Sequence, residues 1–559
     1  ASPKPFRDRT SLVASIVNSA PIYVGRKPSQ AVAGDGYADF YRNMNRTPVV
    51  YVGTNNGMLH AFDAATGAEM FAFVPKALVE KLPATTSPNF VRQPMLDAPP
   101  VIAEAQVAFT GSASDWRSIL VSGYGGGSQG IFALNVTDPN AFSANTSSVL
   151  WSFTDIDDPK MGNLTSSPKI LKFKTGASSY KWFVVVPSGY NNNVVDTPVS
   201  GTPVRHDASN QSALFLLDLT KPASASWSLG SNYYRIDLPT SFQDSSKANA
   251  LLSPGAELGV NGEVRNLYAG DIQGNLWKFN FSSATLPFSN ANVLAFGGAS
   301  GKPLFTAKDG SGNAQPITIE PVVGTAAGRT NLIVFGTGKF VEGADTTVAN
   351  YKQQSMYGVW DDLTNTNASR TAARSELAQR AASSTGTTFS VSGADFVLGY
   401  PTNSSKKKGW YFDFPGTSAG ERQVTNLAVA NSFVYFNTLS AVTPSVNACA
   451  AYGGRQCAVN GATGLSSGST CDLSSDGFLP APMAIEPDVD IQTAATGQGY
   501  AVRSSTPLIL TFVGSPTEGA SNASAGKPLA KLGQTTRQQT RRLSWREIVD
   551  YDKLRESYK

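Results

Sequence analysis

Apolar and polar residues alternate along this chain in short runs that come in pairs. Val49–Gly67 reads VVYVGTNNGMLHAFDAATG: an apolar run, a glycine, a polar turn, an alternating run ending on an aromatic–Asp step, then another turn. The same order returns at Ser118–Asp138, at Trp182–Leu219 with a longer loop, at Leu267–Asn280 and at Leu332–Asp361. Period-2 runs joined by Gly/Asn turns predict β-hairpins. The glycine closing the first run falls at Gly53, Gly123, Gly189, Gly270 and Gly336, at spacings of 70, 66, 81 and 66 residues. The second runs close on Asp63, Asn135, Asp218, Asn280 and Asp361, each expected to cap the following turn through its side chain. A unit of this length holds four strands plus connections. Long and unequal connections argue against a solenoid, whereas a β-propeller carries them on its two faces without disturbing radial packing. With further strands at Ser432–Leu439 and Pro507–Val513, the spacing predicts an all-β fold of about seven blades over residues 1–514.

Two segments break the pattern. Thr371–Ala382 (TAARSELAQRAA) is rich in helix formers and predicts a helical insertion between blades. Ser544–Tyr558 opens with Ser544 and Glu547 in capping-box spacing and places Trp545, Ile548, Val549 and Leu554 on one face, predicting a C-terminal helix over 544–559. Residues 515–543, Gly/Ser/Pro-rich and then basic, read as a linker.

Composition narrows the function. Only 15% of the 559 residues are charged, while Gly (51) and Pro (33) are plentiful, which excludes a long-helix or coiled-coil protein. The net charge of +4 gives no reason to expect a nucleic-acid partner. Lys527–Lys559 carries nine Lys/Arg against four Asp/Glu, so the body is nearly neutral and the tail basic. Two histidines, His60 and His206, leave little room for imidazole catalysis or a multi-His metal site. Three cysteines, Cys449, Cys457 and Cys471, lie within 23 residues, too few for a structural zinc site without a nearby histidine. One disulfide plus a leftover thiol suits an exported protein, and Cys449–Cys471, enclosing the longer loop, is the expected pair. No apolar run reaches bilayer-spanning length and no export signal opens the chain, which looks like the C-terminal part of something longer.

Several motifs resemble catalytic or binding signatures. Gly125–Gly130 (GGGSQG) matches a dinucleotide fingerprint and a nucleophile elbow, but both chemistries need a helix next, and Ile131–Val136 reads as a strand. A hairpin turn is expected there. Asp155, Asp157 and Asp158 read as turn caps, Lys406–Lys408 as a solvated hairpin end, and Tyr190–Asn193 as a loop on a propeller face.

The segments Phe6–Gly25 (FRDRTSLVASIVNSAPIYVG), Tyr51–Gly67, Ile119–Pro139, Tyr268–Phe279 (YAGDIQGNLWKF) and Arg541–Ile548 (RRLSWREI) occur in an order that resembles the C-terminal domain of the PilC/PilY family of type IV pilus tip-associated adhesins. The resemblance covers essentially the whole chain. It implies a modified, quinoprotein-like seven-bladed propeller, without catalysis, acting in pilus biogenesis and adhesion. It further implies export to the cell surface at the pilus tip, in association with the outer membrane. The implied partners are minor pilins, a host-cell or abiotic surface receptor, and an N-terminal adhesive region not in this chain. The family's calcium loop falls at Glu257, Gly259, Asn261, the carbonyl of Glu263, and Arg265. Calcium takes six to eight oxygens, and here Gly259 offers no side chain while Arg265 brings a permanent cation. The expectation is therefore no cofactor, with Arg265 in place of the ion, pairing with Glu257 or Glu263. A quinoprotein-type dehydrogenase or an outer-membrane assembly scaffold are the alternatives on the same propeller. The dehydrogenase would use a vicinal Cys–Cys pair, which this sequence lacks.

Overall fold

In the computed structural model, residues 6–9, 11, 13–28, 34–108, 110–195, 205–295, 301–363, 371–385, 388–416, 420–441, 452–467, 471–474, 478–485, 490–492, 501–512, 528–533 and 536–540 are described. All five predicted hairpins form, and each is the centre of an antiparallel sheet. The first blade holds β1 (Ile22–Val24), β2 (Val49–Gly53), β3 (Leu59–Asp63) and β4 (Glu69–Phe73). The second holds β5 (Val101–Gln106), β6 (Trp116–Gly123), β7 (Gly130–Asn135) and β8 (Val149–Thr154). The third holds β9 (Lys169–Lys174), β10 (Tyr180–Pro187), β11 (Ala213–Asp218) and β12 (Tyr233–Asp237), and the fourth β13 (Gly255–Leu258), β14 (Val264–Gly270), β15 (Asn275–Asn280) and β16 (Phe305–Thr306). In the fifth, β17 (Val322–Ala326), β18 (Thr330–Gly336) and β19 (Ser355–Asp361) are followed by Gly409–Asp413, with β20 (Ala378–Gln379) added in parallel outside it. A larger sheet comes next, in the order Ala381–Thr385, Thr388–Ser392, Cys471–Ser474, Tyr452–Asn460, Phe433–Asn437 and Ala428–Ala430.

The alternation explains the packing. In β10 the side chains of Val184 and Val186 join Trp116, Ile119 and Val121 of the second blade, while Phe183 and Val185 join Leu267, Ala269 and Trp277 of the fourth. In β14 Tyr268 turns instead to Ile333, Phe335 and Tyr357 of the fifth. Central strands are thus apolar on both faces, because each blade is buried between two neighbours. The cores run in series through blades one to five and on into the larger sheet, where Trp410 and Phe412 meet Val434, Phe436 and Val459. Serial stacking of sheets, each buried between two neighbours, is the packing a β-propeller requires.

The repeat markers have separate roles. A Cβ on Gly53, Gly123, Gly270 or Gly336 would lie 2.7 Å from Leu96 O, 2.8 Å from Leu164 O, 2.2 Å from Ile317 Cγ2 or 2.7 Å from Gln423 Cβ. In each case the obstacle belongs to the segment leading toward the first strand of the following sheet, so these glycines let adjacent sheets close together. The five closing residues cap as expected: Asp63, Asn135, Asp218, Asn280 and Asp361 each accept an N–H two residues on, at 2.8–3.2 Å.

Three expectations need correction. Thr371–Ala382 is not a helical insertion but a single 3-10 turn, Arg374–Glu376, followed by β20 and a further strand. Arg374 forks onto the Asp413 carboxylate at 2.7 Å to each oxygen and stacks 3.9 Å over Tyr411, while β20 pairs with Gly409–Asp413. These tertiary bonds outweigh a helix propensity of a few tenths of a kcal/mol per residue. The disulfide joins Cys457 to Cys471, not Cys449 to Cys471, because the first two face each other across paired strands with Cα atoms 4.1 Å apart. Cys449 lies outside the described residues, as does the expected helix at 544–559. The segment expected as linker supplies two strands, Pro528–Leu532 beside Leu508–Phe512 and Thr536–Thr540 beside Ala501–Ser505.

Candidate functional site

Two places on the propeller gather polar side chains from separate blades. The first is the turn between β13 and β14, where the calcium-loop positions lie. Glu257 Oε2 accepts from the amides of Asn266 (2.6 Å) and Asn331 (2.8 Å), and Arg265 Nη1 stands 3.8 Å from Glu257 Oε1. Arg265 is therefore beside Glu257 rather than Glu263. Glu263 folds back over the turn: its Oε2 accepts the Asn261 N–H at 3.0 Å, and its Oε1 lies 2.3 Å from where a Cβ on Gly259 would be. The Asn261 amide donates to Tyr180 Oη of the third blade at 3.2 Å. Gly262 sits at φ +74°, the left-handed turn position. Burial pulls the Lys172 ammonium down from its usual range, and the nearby Glu263 carboxylate opposes that. The two carboxylates are thus committed to different partners. Among the described residues, no group of three or more His, Cys, Asp or Glu side chains is arranged to hold a metal ion.

Behind this turn lies a buried chain that sequence reasoning missed. Asn331 also donates to Tyr268 Oη (3.1 Å), Tyr268 donates to Asp361 Oδ2 (2.6 Å), and Lys278 Nζ is 2.7 Å from the same oxygen. Lys278 and Asp361 are 0% and 2% exposed. Burial and the Asp361 carboxylate hold the Tyr268 phenol well above its usual range, so it stays a donor. The chain ties the fourth blade to the fifth.

The second place is the mouth on the propeller axis, a cleft of ≈ 370 Å³. Strand directions put it on the opposite face from the β13–β14 turn, since Ser253 and Glu320 precede β13 and β17 while the turn follows β13. Tyr190, Phe340 and Phe478 form its aromatic part, with Phe340 and Phe478 stacked at 6.3 Å. Hydroxyls and amides make up most of the remainder, and the buried Ser166 Oγ and Thr425 Oγ1 have no partner among the described residues. Among the described residues Glu320 is the one carboxylate in the lining, and it is held by Lys169 at 2.5 Å. Tyr190, read from sequence as a face-loop residue, is here; Phe340, Phe478 and Glu320 gave no sequence signal.

The other motifs are structural. Gly125–Gly127 is a short 3-10 turn running into the strand β7, so neither phosphate nor nucleophile chemistry is served. Asp158 is buried against Arg235 (2.6 Å) and Tyr233 (3.0 Å), and Asp157 accepts the Thr154 N–H. Lys408 is not solvated: it is 3% exposed and paired with Glu376 at 2.9 Å.

Comparison with known proteins fits this architecture. The family model described as the PilY1 beta-propeller domain matches residues 13–392. The chain belongs to this family. The Type IV pilus biogenesis factor PilY1 of Pseudomonas aeruginosa is 32% identical over 484 residues, covering 80% of this chain and 38% of that protein. A Type IV pilus biogenesis factor PilY1 homolog of Xylella fastidiosa is 31% identical over 501 residues, 87% of this chain and 33% of that protein. This chain thus spans little more than a third of the length of these curated relatives. The crystal structure of the Pseudomonas aeruginosa PilY1 C-terminal domain superposes with a TM-score of 0.62 at 24% identity, covering 89% of this chain and 98% of that one, which supports the same fold. Among the described residues no helix is long and apolar enough to cross a membrane.

Proposed function

We propose that this propeller acts without catalysis as a binding scaffold in type IV pilus biogenesis and adhesion, outside the cell at the pilus tip. Membership of the PilY1 propeller family carries this reading, with relatives named as pilus biogenesis factors. The axial mouth favours binding over turnover: its single carboxylate is neutralised by a lysine, and its lining otherwise offers hydroxyls, amides and aromatic faces. Minor pilins and a surface receptor are the partners this role calls for.

The β13–β14 turn, on this reading, is held by its own side chains rather than by calcium. Arg265 stands where a cation would be repelled, and Glu257 is already engaged by two amides.

The deciding experiment removes the propeller from the full-length protein in its own strain and scores surface pili and adhesion separately. Loss of pili makes the propeller an assembly factor with minor pilins as partners. Normal pili with reduced adhesion place the receptor site on it. If both are unchanged, the proposal fails.

A further inference from the structure

Beside the β2–β3 turn the segment before β1 and the loop Phe90–Gln93 enclose a second cleft, of ≈ 190 Å³. Three guanidinium groups line it, those of Arg7, Arg9 and Arg92, against a single carboxylate, Asp8. Like charges gathered in one concavity raise the local potential and draw a counter-ion.

The state of these groups singles the cleft out. Arg7 is fixed by its position 4.2 Å over the Phe90 ring and by its N–H bond to Thr86 O, yet its guanidinium has no acceptor among the described residues, and its Nε is buried. A buried donor without an acceptor is costly, and an incoming oxygen would relieve it. Arg92 is exposed and likewise has no carboxylate or carbonyl partner among the described residues. Asn55 Oδ1 is taken by the Met95 N–H at 3.0 Å, and its amide nitrogen has no acceptor among the described residues. Most arginines elsewhere in the propeller are paired: Arg46 with Glu104, Arg235 with Asp158, Arg374 with Asp413, Arg455 with Glu421. Here two arginines that line one cleft have no such partner among the described residues.

We propose that this cleft is a binding site for one oxyanion group, a carboxylate or a sulfate or phosphate, gripped by Arg7 and Arg92 with Asn55 donating from the β2–β3 turn. Planar guanidinium forks suit such groups, because two parallel N–H donors match two oxygens. The volume admits a single headgroup rather than a whole polymer, so the ligand is an anionic terminus or side group presented to the propeller. The site goes beyond the pilus reading and stands or falls independently of it.

Calorimetry on the full chain at low ionic strength tests this with sodium sulfate, inorganic phosphate and D-glucuronate as probes, and glucose as the neutral control. At least one anion should bind saturably, with affinity falling as chloride is raised. Arg92→Gln and Arg7→Gln should each weaken it roughly tenfold, the effect of losing a charge-assisted bond. Tighter binding of glucuronate than of the inorganic anions identifies a carboxylate ligand, and the reverse order a tetrahedral one. No binding of any probe at 10 mM, glucose binding equally well, or full affinity in Arg92→Gln overturns the proposal. Because Arg92 is exposed and bonded to nothing described, its variant keeps the test valid even if Arg7→Gln disturbs the Phe90 loop.

Discussion

Replacing Lys278 with methionine removes an ammonium that is fully buried and 2.7 Å from the Asp361 carboxylate, while keeping an apolar stem of similar length. At that separation the pair's attraction is about 6 kcal/mol with an effective dielectric near 20, most of it offset by the desolvation of both ions. Loss of the lysine leaves Asp361, 2% exposed, with the Tyr268 hydroxyl and the Leu363 N–H as its donors among the described residues. An uncompensated buried charge costs about 3–5 kcal/mol. Asp361→Asn keeps the turn cap but takes from Lys278 the carboxylate 2.7 Å away, and should destabilise as well. The double variant should lose markedly less than the sum, with a coupling of at least about 2 kcal/mol, because both single variants break the same ion pair. Urea unfolding followed by tryptophan fluorescence reads this as a shift in midpoint at constant slope. Single variants within about 1 kcal/mol of the parent, or additive effects, would refute the reasoning and make the pair incidental to the joint between the fourth and fifth blades.

Other consequences can be checked singly. Burial pushes the Asp271 carboxyl up to about 6 even though Trp277 Nε1, the Gln273 and Asn275 N–H groups and the Asn275 amide all donate to it. A carboxyl with a raised folded pKa binds its proton more tightly in the native state. Stability should therefore fall as pH rises from about 4 to about 6, by roughly 3 kcal/mol for this group, a slope that Asp271→Asn removes. Non-reducing peptide mapping should recover Cys457 linked to Cys471, and Cys457→Ser should cost about 3 kcal/mol for a closed loop of this length. Calcium titration by calorimetry should give no micromolar event; one that vanishes in Glu257→Ala would show that the turn does hold the ion. Gly127→Ala, whose Cβ would lie 1.8 Å from the Met95 carbonyl oxygen, should destabilise by more than about 2 kcal/mol in the same urea assay.

What could be read from the sequence followed physical range. The hairpins and their Asp or Asn caps were legible because each is decided within about twenty residues by alternation and turn chemistry. Thr371–Ala382 was misread because its conformation is set by Asp413 and Tyr411, some forty residues away, which outbid its local helix preference. The disulfide was misread for a related reason. Loop length favours Cys449–Cys471, but strand register places Cys457 directly opposite Cys471, and register cannot be counted from spacing when a sheet takes strands out of chain order. At the calcium-loop positions, the substitution at 265 was legible and its pairing with Glu257 was one of two options. The Asn331–Tyr268–Asp361–Lys278 chain was not, since its members stand on four strands of two blades.

This division has a consequence for where binding can evolve. In the central strands nearly every side chain is spoken for, because one alternate set packs on the preceding blade and the other on the following one. A polar residue gained there must come with partners, as Lys278 does, or it destabilises the joint. The connections carry no such constraint. Tyr190, Phe340 and Phe478 at the axial mouth, and Arg92 in the flanking cleft, lie on segments between strands, and Arg7 lies on the segment before β1. Recognition on this propeller can therefore change by substitution in a few loops while the blade cores stay as they are. That also predicts an order of sensitivity: Phe478→Ala, at a residue already 42% exposed, should leave unfolding within about 0.5 kcal/mol of the parent. Tyr268→Phe, by contrast, strips a donor from the buried Asp361 and should cost about 1–3 kcal/mol. If the loop variant were the more damaging of the two, the mouth would be part of the propeller's structural closure and not a surface free to bind.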